Sequence, residues 1–366
     1  MLKQKKTLYD RKKLKPLGTH TAVGHLYDLG KWKDVPYLRE NHCMLPPFMI
    51  CVGSRVRVMK AKEILKLRDS VFIDEYALKK FGTSAYGRVS ILVGIAESGG
   101  IDFPISVVET QMGCPATQIN MHELLYFTRQ GQYSYNNKII NGKESIYVVR
   151  AGTCAGVNSD DPFIPSVSIG DVAIANFNIG AVGAIIQSYL GILDFVGRSA
   201  VNAKKELLKA AGFSGDFESS DIILTKDKKY LITKCSDELV GEFKKVVKLR
   251  NISFAIGPNF TKDSLYAEMG EKEFVELNKK YGVISTEMEQ LVIDFLAKKF
   301  TLEGISIKTG LISAVIGAIP GKSFPTTEKE KKAAKEAEEK ILLITKEVFG
   351  RIALSSFDYV FDDSSV

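Results

Sequence analysis

The chain has 366 residues, of which 45% are apolar and 25% charged, a composition typical of a globular protein with a large buried core and not of a disordered chain. Its formal net charge of +7 does not indicate a basic surface for nucleic acid, because much of the excess lies in the first 15 residues, MLKQKKTLYDRKKLK. Five cysteines without a CxxC pair predict neither a disulfide framework nor a zinc site, and no apolar run reaches the roughly 18 residues that span a bilayer.

The two ends of the chain differ in charge from the region between them. Residues 1–18 are predicted to form a basic flexible tail, with RNA or membrane contact as the alternative, and residues 356–366 an acidic tail. The basic tail lacks the apolar segment of a secretory signal, and the unpaired cysteines indicate a reducing compartment. We therefore expect a cytoplasmic protein without nucleic-acid or membrane partners. Residues 19–355 are predicted to form one domain, with insertions near 97–103 and 214–230.

Runs rich in β-forming residues alternate with helical patterns along the chain. In the first half, the strand FMICVG (48–53) is followed by the helical pattern VMKAKEILKL, and the strand ISVVET (105–110) by a helix over 116–129. The strand SIYVVRAGT (145–153) is followed by DVAIANFNIG (171–180), where the alternation predicts a helix. The second half gives helices over 237–249, 271–280, 285–299 and 326–352, and strands over 252–257 and 305–317. This alternation predicts an α/β domain whose central sheet is covered by helices on both faces. Loops that leave the carboxyl ends of the strands are then the expected place for a functional site.

The loop VGSRVR follows the first buried strand and precedes a helix. Gly53 lets the backbone approach an anion, and the guanidinium groups of Arg55 and Arg57 match phosphate oxygens. The alternative is a surface turn with two solvated arginines, and the loop lacks the Lys-Ser/Thr pair of a Walker A motif.

The segment VVRAGTCAG places Arg150 inside an otherwise apolar strand, followed by Gly152, Thr153 and Gly156. A buried charge costs several kcal/mol unless it is paired, so Arg150 is expected to meet an anion. The alternative is a salt bridge to a buried acidic side chain.

The segment ISTEMEQLVIDFLAKKF places Glu287 and Glu289 around Met288, just before a helix. Carboxylates two residues apart do not share a helical face, but ahead of the helix both can point into one cleft and accept hydrogen bonds from vicinal hydroxyls. The alternative is a charged first turn that complements the helix dipole.

Five segments, VGSRVR, ETQMGCPAT, VVRAGTCAG, NFTKDSLY and YGVISTEMEQ, together resemble the motif series of the nucleoside phosphorylase-I family, in the family's order. This family includes uridine phosphorylases and the hexameric purine nucleoside phosphorylases. The resemblance runs with gaps from about His25 to Ile352, and YGV-x-x-x-EME is its most specific part. It implies a three-layer α/β/α sandwich with a central mixed β-sheet. It also implies a pentosyltransferase that uses inorganic phosphate as co-substrate, without a metal or another cofactor.

Matched motif by motif, the resemblance implies a set of binding residues. Phosphate is expected at Gly53, Arg57, Arg150 and Thr153, and ribose at His25, Met112, Met288 and Glu289, with Arg150, Thr153 and Glu289 as the catalytic set. His25 matches a histidine that crosses a dimer interface to the sugar 5′-hydroxyl, which implies a homodimer or a higher oligomer built from dimers. The alternative is that His25 packs within an N-terminal turn.

The expected base pocket contains the main departures from the family. Its expected residues are Cys154, Ala155, Gly156, Leu265, Tyr266, Glu287 and Ala314. Met269 and Glu271 stand where uridine phosphorylases carry the Gln-x-Arg that reads uracil, and Ala314 stands where purine enzymes carry a general-acid aspartate.

Two further departures concern the phosphate and ribose sites. Cys114 replaces a glycine of the family's Gly-Gly-Pro turn. Glu75 falls where the family has a phosphate arginine from the second subunit, with Lys79, Lys80 and Arg88 as possible substitutes.

The predicted reaction is phosphorolysis of a nucleoside to the free base and (deoxy)ribose 1-phosphate. Uracil leaves as an anion without a strong acid, so the absence of the purine acid favours pyrimidine nucleosides, uridine above all. A purine nucleoside phosphorylase and a hydrolytic nucleosidase are alternative enzymes. An impaired nucleoside-binding paralogue or a structural subunit is the alternative of another class.

Overall fold

A computed structural model describes residues 15–16, 19–130, 133–135, 138–140, 145–181, 222–224, 230–262, 270–302, 304–321 and 324–355. The predicted acidic tail, nearly all of the basic tail and most of the predicted insertion at 214–230 lie outside these residues. The other predicted insertion, 97–103, forms the end of a β-hairpin that belongs to the central sheet, with Gly99 and Gly100 at positive φ in its turn.

The described elements alternate as expected for an α/β chain. The strands are β1 (Phe48–Val52), β2 (Arg68–Phe72), β3 (Ile91–Ser98), β4 (Ile101–Glu109), β5 (Tyr133–Tyr135), β6 (Lys138–Ile140), β7 (Ile146–Val157), β8 (Val172–Ala181), β9 (Ile222–Leu224), β10 (Tyr230–Lys234), β11 (Phe254–Thr261), β12 (Ser285–Glu287) and β13 (Ile307–Ile319). The α-helices are α1 (Ala22–Asp28), α2 (Pro36–Glu40), α3 (Arg55–Ile64), α4 (Ile73–Phe81), α5 (Cys114–Tyr126), α6 (Asp237–Leu249), α7 (Glu271–Tyr281), α8 (Gln290–Leu302) and α9 (Glu328–Leu354).

The central sheet is mixed and has 11 strands among the described residues, in the order β2-β3-β4-β1-β7-β12-β11-β8-β10-β9, with β13 paired to both β7 and β8. Strand β1 runs parallel to β4 and β7, and β7 runs parallel to β13. The hairpin β3–β4 and the pair β8–β13 are antiparallel. Strands β1 and β7 are parallel and in register at Cys51 and Arg150. The residues that follow Cys51 and Arg150 therefore lie side by side at the carboxyl end of β1.

Apolar side chains bury both faces of this sheet. On one face β1 contributes Met49 and Cys51 to a cluster that α1, α4, α5 and α8 cover. On the other face β1 contributes Phe48 and Ile50 to a cluster that α3, α6 and α9 cover. Alternation of side chains along a strand produces these two layers from one apolar sequence. The arrangement confirms the predicted three-layer α/β/α sandwich with a central mixed sheet.

Two segments were assigned to the wrong element. DVAIANFNIG, in a helical place by sequence, is strand β8, where alternate residues such as Val172 and Ile174 pack into the apolar cluster beneath α9. The helix predicted over 285–299 begins only at Gln290, because Ser285–Glu287 pairs with β7 and β11 as strand β12. Among the residues that the structure describes, no helix combines the length and apolar character needed to cross a membrane.

Candidate functional site

Arg150 lies near the middle of β7 and is almost fully buried. Its Nη2 donates to Glu289 Oε2 over 2.7 Å, and the two side chains are 4% and 5% exposed. Gly152 makes this conformation possible, since a Cβ there would lie 2.8 Å from Arg150 Nη1. The salt bridge to a buried acid, one of the two expectations for Arg150, is therefore present. Its acidic partner is the residue for which the sequence predicts ribose binding.

Glu289 is held from two sides. Arg150 contacts one carboxylate oxygen, and the backbone N–H of Gly113 donates to the other over 3.0 Å. Burial alone would raise the pKa of Glu289, but the positive charge of Arg150 and these hydrogen bonds outweigh it and hold the pKa below its ordinary value. Glu289 is thus an oriented carboxylate that has lone pairs free for further donors.

Glu287 ends strand β12, three residues before helix α8, and most of its hydrogen bonds are made with the backbone and side chains around that helix start. One of its carboxylate oxygens accepts the N–H groups of Glu289 (2.8 Å) and Gln290 (3.0 Å), and the other accepts from Thr261 (2.6 Å) and Asn259 (3.0 Å). Burial, together with the negative charge of Glu289, raises the pKa of Glu287. This differs from the expectation that Glu287 lines the base pocket. Its carboxylate is used to fix the backbone that carries Glu289, so the helix-start alternative describes it better.

The residues predicted to bind phosphate lie together at the carboxyl end of β1 and beside the middle of β7. A Cβ on Gly53 would be 3.4 Å from Arg150 Nη2 and 3.7 Å from Arg57 Nη1, so both guanidinium groups border this glycine. Arg57, in the first turn of α3, also donates to Thr153 Oγ1 over 3.2 Å. Because α3 packs on the opposite face of the sheet from the Arg150 side chain, the two arginines converge from opposite faces.

Arg57 has a second partner that the sequence does not reveal. Its Nη2 lies 3.3 Å from Glu338 Oε1 on α9, and these side chains are 28% and 33% exposed. The two residues are separated by 281 positions in the chain, so no local motif links them.

The predicted ribose residues Met112 and Met288 flank the turn at Gly113. Met288 Cε lies 3.8 Å from the position of a Cβ on Gly113, and the backbone carbonyl of Met288 accepts from the Cys114 thiol over 3.3 Å. Met112 is 67% exposed and projects from the surface beside this turn.

The predicted base-pocket residues that the structure describes are divided between the two faces of the sheet. Cys154 is buried with Val315 and Val167, on the opposite side of the sheet from Ala314. Ala314 has no exposed surface and is in register with Thr153, so the alternation along β13 directs it into the core beneath α3 and α9. Its assignment to the pocket is therefore corrected.

The remaining predicted pocket residues, and the two residues in the place of the family's Gln-x-Arg, are located as follows. Ala155 and Gly156 continue β7, and a Cβ on Gly156 would be 2.5 Å from Val167 Cγ2. Glu271 begins α7 and accepts from the N–H of Gly321 over 3.2 Å. Leu265, Tyr266 and Met269 lie outside the described residues.

His25 lies on α1, and no described contact joins it to Arg150 or Glu289. Its Nδ1 is 3.0 Å from Thr19 Oγ1, its ring meets Tyr86 edge-on at 6.1 Å, and within the described part of the chain its buried Nε2 has no hydrogen-bond partner. Burial and the charge of Arg88 lower its pKa, which favours a neutral imidazole. Arg88 is therefore close enough to act on the charge state of His25.

The segment that carries His25 is fixed by a buried carboxylate on α5. Glu123 accepts from the N–H groups of His20 (2.6 Å) and Thr21 (3.0 Å) and from the Thr21 hydroxyl. Glu75, in the place of the second-subunit arginine, is paired with Arg55 at 2.8 Å. Of the proposed substitutes, Lys80 donates to the carbonyl of Asp34 over 3.0 Å.

Within the described ranges, His, Cys, Asp and Glu side chains form no group of three or more that would hold a metal ion.

No protein-family model and no curated protein sequence matches the chain. Solved structures do match over most of its length. A uridine phosphorylase of Vibrio fischeri complexed with 6-hydroxy-1-naphthoic acid shows 14% identity and a TM-score of 0.54, covering 84% of this chain and 92% of that chain.

Two further structures share the same architecture. A purine nucleoside phosphorylase of Toxoplasma gondii in complex with immucillin-H shows 18% identity and a TM-score of 0.50, over 84% of this chain and 92% of that chain. A 5′-methylthioadenosine/S-adenosyl homocysteine nucleosidase of Campylobacter jejuni shows 11% identity and a TM-score of 0.50, over 84% of this chain and 99% of that chain. The chain therefore has the fold that these phosphorylases and this nucleosidase share.

Proposed function

We propose that this chain is a pentosyltransferase that cleaves the N-glycosidic bond of a nucleoside with inorganic phosphate, releasing the base and (deoxy)ribose 1-phosphate. The observation that carries the proposal is the convergence of Arg57 and Arg150 on Gly53, beside the Thr153 hydroxyl. Two guanidinium groups that meet at a glycine from opposite faces provide the fork geometry and the close backbone approach that phosphate binding requires. All five cysteines are free thiols, which supports a reducing compartment such as the cytoplasm.

In the proposed mechanism Arg57, Arg150 and Thr153 hold phosphate beneath the sugar C1′. Breaking the bond to the base leaves an oxocarbenium-like sugar, which the bound phosphate stabilises and then attacks. Arg150 donates to Glu289 through Nη2 and makes long contacts with the carbonyls of Cys51 (3.4 Å) and Ala151 (3.5 Å) through Nη1. Its Nε has no partner in the described part of the chain, and the second N–H of Nη2 is proposed to donate to phosphate. One group thereby links the phosphate and sugar sites.

Glu289 is the proposed ribose residue. Its carboxylate is fixed by Arg150 and the Gly113 N–H, so it can accept hydrogen bonds from the sugar hydroxyls without losing further side-chain freedom. Met288 and Met112, on either side of the Gly113 turn, are the proposed apolar contacts of the sugar. His25 of a second copy is proposed to reach the 5′-hydroxyl.

Pyrimidine nucleosides, with uridine first, are the proposed substrates. The segment LISAVIG, which matches the family's general-acid segment, contains no acidic side chain. Protonation assists departure of a purine more than departure of a hydrogen-bonded uracil, so the lack of an acid in this segment supports the pyrimidine choice.

Hydrolysis is the second candidate, and one observation favours it. Each arginine of the pair already has a carboxylate partner, Glu289 for Arg150 and Glu338 for Arg57, so the pair is neutralised within the chain. A site that does not bind phosphate needs such neutralisation.

The test is base release from uridine, deoxyuridine, inosine and 5′-methylthioadenosine by the purified protein, with and without inorganic phosphate. Phosphorolysis predicts release that depends on phosphate and is greatest for uridine. Equal release without phosphate would identify a hydrolase. No release from any nucleoside would favour the impaired paralogue.

A further inference from the structure

We propose that Glu338 is a gate of the phosphate site: its carboxylate pairs with the Arg57 guanidinium until phosphate displaces it and takes its place. The inference deepens the proposed function and rests on it. It concerns a residue of the last helix that belongs to none of the five sequence motifs.

The two arginines of the site are paired with carboxylates in different ways. Arg150 and Glu289 are 2.7 Å apart and almost fully buried. Arg57 and Glu338 are 3.3 Å apart, and roughly a third of each side chain is exposed, at 28% and 33%. A partly exposed ion pair contributes little stability and exchanges partners readily. A buried ion pair is costly to break, because each charge would be left unpaired in the core. Of the two carboxylates, Glu338 is therefore the one that an incoming anion can displace.

Displacement is geometrically simple because Arg57 has a second anchor. Its Nη2 also donates to Thr153 Oγ1 over 3.2 Å, and its Nη1 lies toward Gly53. The Arg57 guanidinium can thus stay beside Gly53 and Thr153 when its contact with Glu338 on α9 breaks. Phosphate replaces one negative partner by another and adds the contact with Arg150.

The released carboxylate has other cations to meet. Arg57 and Glu338 line a cleft between α3 and α9 that Lys60 and Lys335 also border. Lys335 precedes Glu338 by three residues, a spacing that places both on one face of the helix. Neither lysine has an ion-pair partner among the residues that the structure describes, so each is available to Glu338 in the open state.

The gate sets the affinity of the site for phosphate. While Glu338 stays near Arg57, its charge repels the phosphate dianion and competes for the same donor. Replacing it with glutamine removes the charge but keeps the size, so phosphate binding should tighten by about fivefold, the order expected for one partly solvated charge at this distance.

The experiment measures phosphate binding directly, by calorimetric titration of inorganic phosphate into wild-type protein, Glu338→Gln and Glu336→Gln. Glu336 is an exposed carboxylate of the same helix whose described ion pair is a 3.8 Å contact with Lys340, so this control makes the same charge change outside the cleft. The gate predicts tighter binding in Glu338→Gln alone and a matching fall in the KM for phosphate at similar kcat. Unchanged or weaker binding in Glu338→Gln, or no phosphate binding in any of the proteins, would overturn it.

The titration does not depend on turnover, so it separates the two proposals. If phosphate binds and Glu338→Gln tightens it while no nucleoside is cleaved, the gate stands and the proposed reaction fails. If nucleosides are cleaved with phosphate but Glu338→Gln binds phosphate as the wild type does, the reaction stands and the gate fails.

Discussion

The Arg150 guanidinium donates to the Glu289 carboxylate over 2.7 Å although the two residues lie 139 positions apart. The contact joins the middle of β7 to the turn before α8. Both side chains are almost fully buried, so removing either one would leave the charge of the other unpaired in the core. This pair therefore has a structural role and a proposed catalytic role, which variants can separate.

Stability and activity should respond differently to removal of the pair. Arg150→Met leaves Glu289 as a buried unpaired charge and should lower the free energy of unfolding by about 3–5 kcal/mol. The double variant Arg150→Met/Glu289→Gln removes both charges and should recover much of that stability. Denaturant unfolding measures this effect.

Activity should not return with stability. Both variants lose the guanidinium that is proposed to stabilise the transferring phosphate, so phosphorolysis should fall by about 100-fold or more in each. Recovery of turnover in the double variant would show that the pair serves the fold alone.

Gly152→Ala tests the position of the Arg150 guanidinium without removing it. The new Cβ would lie 2.8 Å from Nη1 and 2.9 Å from Cζ, so the guanidinium must move. If Arg150 holds phosphate as proposed, a displacement of this size should lower kcat/KM by about 10- to 100-fold. The control is Gly241→Ala on α6, where a Cβ meets nothing within 4 Å and activity should stay unchanged. Similar activities of the two variants would argue against a precise role for Arg150.

The pH dependence of stability should contain a contribution from Asp294. Its carboxylate accepts from Asn178 (2.6 Å), Thr233 (2.6 Å) and Gln290 (2.7 Å), and burial nevertheless raises its pKa to about 6. Because the folded protein holds this proton more tightly than the unfolded chain, the contribution is complete below about pH 4 and is lost as the pH rises through 6.

The measurement compares the unfolding free energies of wild type and Asp294→Asn from pH 4 to pH 7. The stability advantage of the wild type should shrink across this range by about 2–3 kcal/mol. A difference that grows with pH would show that the ionised form of Asp294 is the one the fold stabilises.

The sequence predicts the residues of the candidate site better than it predicts which side chains they pair with. Arg150 and Gly53 are visible in the sequence because a charge inside an apolar strand, and a glycine at a strand end, are each unusual for local reasons. The partners are set by tertiary packing over long separations: Glu338 reaches Arg57 across 281 positions, and Glu123 reaches Thr21 across 102. No periodicity or spacing contains that information.

The fold class followed from the alternation of elements, and its errors have a physical origin. Strand β12 has three residues and immediately precedes a helix, so its sequence continues the helical pattern. Ala314 was placed in the pocket because its motif position suggested it. The register with Thr153, which depends on how β13 pairs with β7, directs it into the core instead.

A shared site between two copies makes a prediction for mixed oligomers. Nε2 of His25 has no partner within the described part of its own chain, and no described contact joins the residue to Arg150 of that chain. If His25 serves the neighbouring sugar site, mixing inactive His25→Ala with inactive Arg150→Ala should restore one intact site in each hybrid dimer. Turnover should then exceed that of either parent. No recovery after verified subunit exchange would confine His25 to its packing against Tyr86.

The central claim is that the arginine pair binds phosphate as the nucleophile, and the identity of the sugar product tests it most directly. Wild-type protein is incubated with uridine and inorganic phosphate, and the phosphorus-containing products are followed by ³¹P nuclear magnetic resonance. The account predicts ribose 1-phosphate appearing in step with free uracil, and loss of that signal in Arg57→Met and Arg150→Met. Release of uracil with free ribose, and no new phosphorus resonance, would contradict it.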